Sequence, residues 1–118
     1  MNFVQNSTAA LVLGFAVFSN ADAAIDCDLY DTSAKGAMEA RQKGIPLADA
    51  MKVLKNGVGS SKEPEAVEAY AALKLAFVEA YKTPKFSTPT MQQEAVNEFR
   101  SKFYGECLEA VSEIERKK

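Results

Sequence analysis

Apolar residues along this chain recur at spacings of three and four, and no stretch alternates convincingly with a period of two, so helices rather than strands are expected. The first predicted helix runs from about Asp28 to Lys43. Tyr30, Ala34, Ala37, Met38 and Arg41 share its inner face, and Gly44 follows as a C-cap. A short second helix is predicted from Pro46 to Lys55, with Leu47, Ala50, Met51 and Leu54 as its stripe. Asn56-Gly57 stops it. "GVGSSKE", residues 57–63, reads as a flexible loop by composition.

Pro64 opens a third helix reaching to about Lys82. Its apolar residues, Val67, Tyr70, Ala71, Leu73, Ala76, Phe77, Val78, Ala80 and Tyr81, cover most of the circumference. So wide a stripe predicts a central helix buried on most sides. Thr83-Pro84 ends it, because a residue before proline is pushed out of the helical region. In the fourth helix Thr88 is the expected N-cap and Pro89 the first residue. Met91, Ala95, Phe99, Phe103, Cys107, Val111 and Ile114 form its inner stripe, with Glu94, Glu98, Arg100 and Lys102 facing away. Gly105 interrupts this helix at a cost of about 1 kcal/mol relative to Ala, which predicts a bend or a close backbone approach. The fold expected is all-α, a small bundle of about four helices, with no internal repeats.

The N-terminus departs from that pattern. "MNFVQNSTAALVLGFAVFSNADAA" has a polar start, an apolar run from Ala9 to Phe18 and Ala21-Asp22-Ala23, the order of an export signal cleaved after Ala23. The apolar run is about half the roughly 20 residues a membrane-spanning helix needs. The expected organisation is therefore a cleavable signal over 1–23 and a helical domain over 24–118, with no stable membrane span after cleavage and a periplasmic location. An uncleaved weak anchor is the alternative, because the stretch before the apolar run holds no Lys or Arg.

Charge narrows the function classes. The full chain carries 14 basic and 16 acidic side chains, a net charge of −2. Such a balance gives no electrostatic reason to bind nucleic acid or anionic lipid. The basic end "ERKK" suits a helix C-terminus.

"AAIDCDLYD", residues 23–31, places Cys27 among aspartates, and four roles can be weighed. A lipid anchor wants a small residue immediately before the cysteine and an aliphatic one three before; Asp26 and Ala24 stand there. A structural zinc site wants four Cys or His ligands, and the chain has 2 Cys and no His. A catalytic thiol wants a neighbouring base, most often His. A disulfide wants one other cysteine, and Cys107 lies on the inner stripe of the fourth helix. In an exported domain an even cysteine count reads as a disulfide, so Cys27–Cys107 is expected, closing a loop of about 80 residues. Asp26, Asp28 and Asp31 do not make a helix-loop-helix calcium loop, since its sixth and twelfth positions would be Asp31 and Ala37. No metal and no cofactor is expected.

The remaining chemistry is sparse. Carboxylates at Glu63, Glu65, Glu68, Glu94 and Glu98 sit on helix surfaces, where solvated Glu is ordinary. No phosphate-cradling glycine loop and no nucleophile elbow is present. Arg41 takes a place where an apolar residue is expected. It reads as an internal clamp, to Asp49 or to the C-terminal end of a neighbouring helix, or as a partner contact. Phe86, in a loop, and Tyr104, off the main stripe, are the aromatic residues outside the predicted core.

"ARQKGIPLADAMKV", "EAYKTPKFST" and "MQQEAVNEFRSKFYGEC" resemble a widespread group of small exported proteins of bacteria and their prophages. Its outline is a signal, a Cys, Ala-Arg-Gln-x-Gly, a short helix with Met, Ala-Tyr-x-x-Pro, and a helix with Glu-Phe ending in Cys. Here the matching residues are Cys27, Arg41, Gln42, Gly44, Met51, Tyr81, Pro84, Phe99 and Cys107, while "KNGVGSSKEPEAVEAYAAL" is longer. The resemblance implies export and a helical fold. Its association with mobile elements implies interference at the envelope: superinfection exclusion, lysis control or immunity to an envelope-acting toxin. The first expectation is a non-catalytic periplasmic protein that blocks an envelope partner, through a patch around Arg41, Phe86 and residues 57–63. The alternative is an antiholin-like lysis-control protein tethered by residues 9–18. A cell-wall enzyme built on the carboxylates ranks last.

Overall fold

The computed structural model describes residues 26–117, so the expected signal segment lies outside the described residues. Four α-helices follow one another: α1 (Cys27–Gln42), α2 (Leu47–Asn56), α3 (Pro64–Ala80) and α4 (Pro89–Arg116), with a 3-10 turn at Val58–Ser60. No strand occurs among the described residues. Residues 27–108 make one compact unit. Within it α1 and α2 both pack on α3.

Local chemistry sets the helix ends. Gly44 adopts φ 82°, the left-handed region that favours glycine. Its N–H donates to the Arg41 carbonyl and the Ile45 N–H to the Ala40 carbonyl, the paired bonds of a Schellman stop. Pro46 then stands as N-cap of α2, one position ahead of the first-turn place expected for it. Pro64 occupies the first turn of α3, where its missing N–H costs nothing. At α4 the Thr88 hydroxyl accepts from the Met91 N–H at 3.2 Å, the side-chain cap its type provides.

The buried interior is rich in alanine. Ala34, Ala37 and Met38 of α1 meet Ala76, Phe77 and Ala80 of α3, Ala50 of α2, and Ala95, Val96, Phe99 and Phe103 of α4 in one cluster. Small side chains at the α1–α3 contact let the two backbones approach closely, and the aromatic volume is supplied mainly by α4. Phe99 and Phe103 stack one turn apart at 5.4 Å between centroids, and Tyr30 reaches Phe103 at 5.5 Å.

The Cys27–Cys107 disulfide joins the first residue of α1 to α4, with Cα atoms 5.6 Å apart and 80 positions between them in sequence. The same two helices are linked by a bidentate ion pair in which Arg100 Nε and Nη2 donate to the Asp31 carboxylate at 2.8 and 2.9 Å. The fold is a small all-α bundle stapled by one disulfide.

Three expectations need correction. α3 is not buried on most sides: Val67, Leu75 and Val78 stay 54%, 48% and 44% exposed. Its buried side is the row Ala72, Ala76 and Ala80 with Phe77 beside it. A domain this small covers one side of the helix with α1 and α2, leaving the opposite apolar row at the surface. Met91, expected inside, is 45% exposed, because the α4 stripe becomes buried one turn later, at Ala95.

Gly105 makes no close approach: a Cβ added there meets nothing within 4 Å, and α4 stays helical through Pro89–Arg116. Gly105→Ala is therefore expected to stabilise the protein by about 1 kcal/mol, the difference in helix propensity. The check is the denaturant midpoint, which moves upward at unchanged slope. A lower midpoint shows that the glycine has a packing role.

Candidate functional site

The C-terminal end of α1 grips the segment between α3 and α4. Arg41 Nε donates to the Thr83 carbonyl at 2.8 Å, and its guanidinium lies 5.3 Å from the centroid of the Tyr81 ring. Gln42, 4% exposed, donates from Nε2 to the Pro84 carbonyl at 3.0 Å and accepts from the Phe86 N–H through Oε1 at 2.8 Å. The Tyr81 hydroxyl returns the link by donating to the Ile45 carbonyl at 2.5 Å, and Gln92 Nε2 donates to the Phe86 carbonyl at 2.7 Å.

Each interaction has a local cause. Residues 83–86 follow a helix end, and three of their carbonyls (Thr83, Pro84, Phe86) and the Phe86 N–H are met by side chains instead of helix partners. Arg41 and Gln42 supply side-chain donors and an acceptor at that place. Of the two partners anticipated for Arg41, the Thr83 carbonyl just past the end of α3 is the one observed, and Asp49 is not. Burial pushes the Tyr81 phenol up from its ordinary value, while the nearby Arg41 cation pulls the other way. The hydroxyl thus stays protonated, and able to donate, through the neutral range.

Phe86 is half-buried against the core and lines a groove of about 470 Å³. Met38 and Ala95 lie at its base, with Phe99, Phe86 and Met91 completing the apolar lining. Glu79, Lys82 and Thr83 come from the end of α3 and its following turn, and Glu94, Glu98 and Lys102 from α4. Lys82 pairs with Glu79 at 2.9 Å. Among the described residues no ion pair involves Glu94, Glu98 or Lys102. The volume lies in the range of pockets that take small ligands or anchoring side chains.

Tyr104 lies elsewhere, in a shallow polar cleft with Asp28, Asp31, Asn97, Arg100 and Ser101. Hydrogen bonds from Arg100 hold the Asp31 carboxyl below the usual aspartate range, against a desolvation effect that would raise it. A depressed folded value means the pair contributes stability above the unfolded pKa of about 4 and loses it as pH falls through the folded value. Asp31→Asn, a neutral mimic of the protonated acid, is expected to be less stable than the unsubstituted protein at pH 7. The difference closes as pH drops below about 4, read from urea midpoints across pH 2–7. Both side chains are about a third exposed, so the effect is small and shrinks further with salt.

The site residues anticipated from sequence therefore separate. Arg41 and Phe86 belong to one hydrogen-bonded region, and Tyr104 lies in a second cleft. In the 57–63 loop the Ser60 hydroxyl donates to the Gly57 carbonyl at 2.9 Å and the Tyr70 ring of α3 lies against Gly59, while Gly57, Ser60, Lys62 and Glu63 stay exposed. No hydrogen bond or ring contact among the described residues joins that loop to Arg41 or Phe86. Glu94 and Glu98 line the groove and Glu63, Glu65 and Glu68 do not. No group of three or more His, Cys, Asp or Glu among the described residues is placed to hold a metal ion. No helix among them is long and apolar enough to cross a membrane.

Gln42 and Gln92 escaped sequence reasoning. Gln42 falls four residues after Met38 and eight after Ala34, on the inner face of α1, so its burial was legible in the spacing. Its partners in residues 84–86 were not, being fixed by tertiary packing. Comparison of the sequence with protein-family models and with curated proteins, and of the structure with solved structures, gave no match.

Proposed function

We propose that the chain is an exported, non-catalytic binding protein that blocks a protein partner in the bacterial envelope, in the manner of superinfection exclusion or immunity. The observation carrying this reading is the groove between α4 and the end of α3, a concave surface bordered by the Arg41–Gln42 clasp. Its apolar part lies around Met38, Phe86, Met91, Ala95 and Phe99, with charged residues beside it. The disulfide supports it, since such bonds persist in oxidising compartments. So does the signal-like order of residues 1–23.

The first test is intact mass from a periplasmic extract, with and without reductant and alkylation. The expected species starts at Ala24 and is lighter by two hydrogens than its reduced form. A full-length chain with unoxidised thiols in the membrane fraction overturns the reading in favour of the tethered lysis-control protein. Photo-crosslinking from position 91, at the groove, is then expected to trap one envelope protein that a probe at the exposed Val53 of α2 does not trap. Equal yields from both positions remove the groove from the mechanism.

A further inference from the structure

We infer that the groove takes an amphipathic helical segment carrying positive charge, supplied by the partner. This rests on the groove-binding reading and adds the chemistry of the ligand. The α4 wall consists of Met91, Glu94, Ala95, Glu98, Phe99 and Lys102, spaced by three and four. These residues therefore form one unbroken side of the helix over three turns, about 16 Å long. That is the length over which a docked helix presents its i, i+3 or i+4, and i+7 anchors. Methionine at both the floor and the rim, Met38 and Met91, gives an unbranched, polarisable lining that adapts to aliphatic or aromatic anchors.

Charge selects among amphipathic ligands. Glu94 and Glu98 stand one turn apart on the same wall, so their like charges face the groove together. Neither carboxylate takes part in an ion pair or side-chain hydrogen bond with another described residue, whereas Glu79 on the opposite wall is matched by Lys82. Lys102, the other cation of the groove, sits one turn beyond Glu98. A lysine or arginine on the incoming helix would lie between Glu94 and Glu98 while its apolar neighbours cover Phe86, Met91 and Phe99. A purely apolar ligand leaves those carboxylates partly desolvated, and an acidic one is repelled.

The test uses the disulfide-bonded protein with 13C-methyl-labelled methionine. The probes are three blocked 14-residue peptides with Leu at i, i+3, i+4 and i+7 and with Lys, Gln or Glu at the polar positions. The Lys peptide is expected to shift the Met38 and Met91 methyl signals saturably and to leave Met51 of α2, which does not line the groove, in place. It should bind at least tenfold more tightly than the Gln and Glu peptides, and the preference should weaken between 50 and 200 mM salt. E94Q/E98Q, changed at two exposed positions, should bring the Lys and Gln peptides within twofold of each other at an unchanged unfolding midpoint. If the Gln or Glu peptide binds as tightly as the Lys peptide, with Met38 and Met91 shifting, the charge inference is overturned and the groove reading stands. If no peptide shifts Met38 or Met91, or if Met51 moves equally with them, both are overturned.

Discussion

Replacing both cysteines, Cys27→Ala with Cys107→Ala, is expected to lower the unfolding free energy by about 4 kcal/mol. The bond closes a loop of 80 residues, so breaking it returns to the unfolded chain most of the freedom that the cross-link removes. Domains of this size have about 5–15 kcal/mol in total. The loss therefore corresponds to a melting temperature lower by roughly 20 °C. Alanine is the right replacement because Cys107 is 4% exposed, where a serine hydroxyl would add its own desolvation cost. Denaturant unfolding of the oxidised protein and the double variant measures the effect. The slope should rise in the variant, since its unfolded state exposes more surface. A loss below 1 kcal/mol would mean that Tyr30–Phe103 and Asp31–Arg100 hold α1 to α4 without the covalent bond.

The consequence bears on where the protein works. If about 4 kcal/mol depends on oxidation, the chain approaches its stability threshold wherever thiols stay reduced. It then populates a state in which the start of α1 is detached from α4. Under the export proposed above, the chain leaves that condition only after it crosses the membrane, where the disulfide can form. The staple thus couples completion of the fold to the compartment proposed for its function.

Much of this architecture is legible residue by residue. Gly44, Pro64, Thr88 and Pro89 mark helix ends because each has a backbone or capping preference that acts within one turn. Cys27 and Cys107 pair because no other cysteine competes and the helical spacing turns Cys107 inward. The failures are equally physical. Val67 and Val78 look like core in a one-dimensional pattern, but burial depends on how many neighbours surround α3, which spacing along α3 does not encode. Gly105 suggests a close backbone approach only when propensity is read alone; a Cβ added there meets nothing within 4 Å. The groove was not anticipated because its lining comes from α1, α3, α4 and the Phe86 loop together. Its rim residues, Glu94 and Glu98, read in the sequence as solvated carboxylates or, last in rank, as catalytic ones, not as the edge of a groove.

The sequence segments around Arg41 and Tyr81 take on a different meaning once their contacts are known. Arg41, Gln42 and Ile45 on one side meet Thr83, Pro84, Phe86 and Tyr81 on the other. An arginine on a helix face invites a partner-binding interpretation, yet here its Nε is engaged within the chain. By holding the Thr83 carbonyl it fixes one residue of the groove lining, while Gln42 and Gln92 hold Phe86.

Gln42 is the centre of that clasp, and Gln42→Leu is expected to cost about 3 kcal/mol at nearly constant volume. The Phe86 N–H and the Pro84 carbonyl both lose their side-chain partner, and an unsatisfied backbone group costs about 1–3 kcal/mol when it cannot reach water. Pro84 is exposed and recovers some of its share through solvent; Phe86 is half-buried and recovers less. Gln42→Glu separates hydrogen bonding from packing. A carboxylate there still accepts from Phe86 but faces the Pro84 carbonyl with no proton to donate, so its folded pKa is raised above the unfolded value of about 4.3. The acid form restores the donor. Stability of the Glu variant should therefore be greatest below pH 4.3 and decline as pH rises through the raised folded value, while the Leu variant stays uniformly destabilised relative to the unsubstituted protein. Urea midpoints across pH 3–8 check both. The Gln92–Phe86 bond remains in either variant, so the loop stays attached at one end and the fold should persist. What the loosened clasp alters is the groove: Phe86 loses one of its two backbone anchors while Arg41 still holds Thr83, and the Lys peptide should bind Gln42→Leu severalfold more weakly although no residue of the groove lining has been changed. Unchanged affinity at a lowered midpoint would instead make the clasp a stability device alone, with the groove shaped by α4 and Met38.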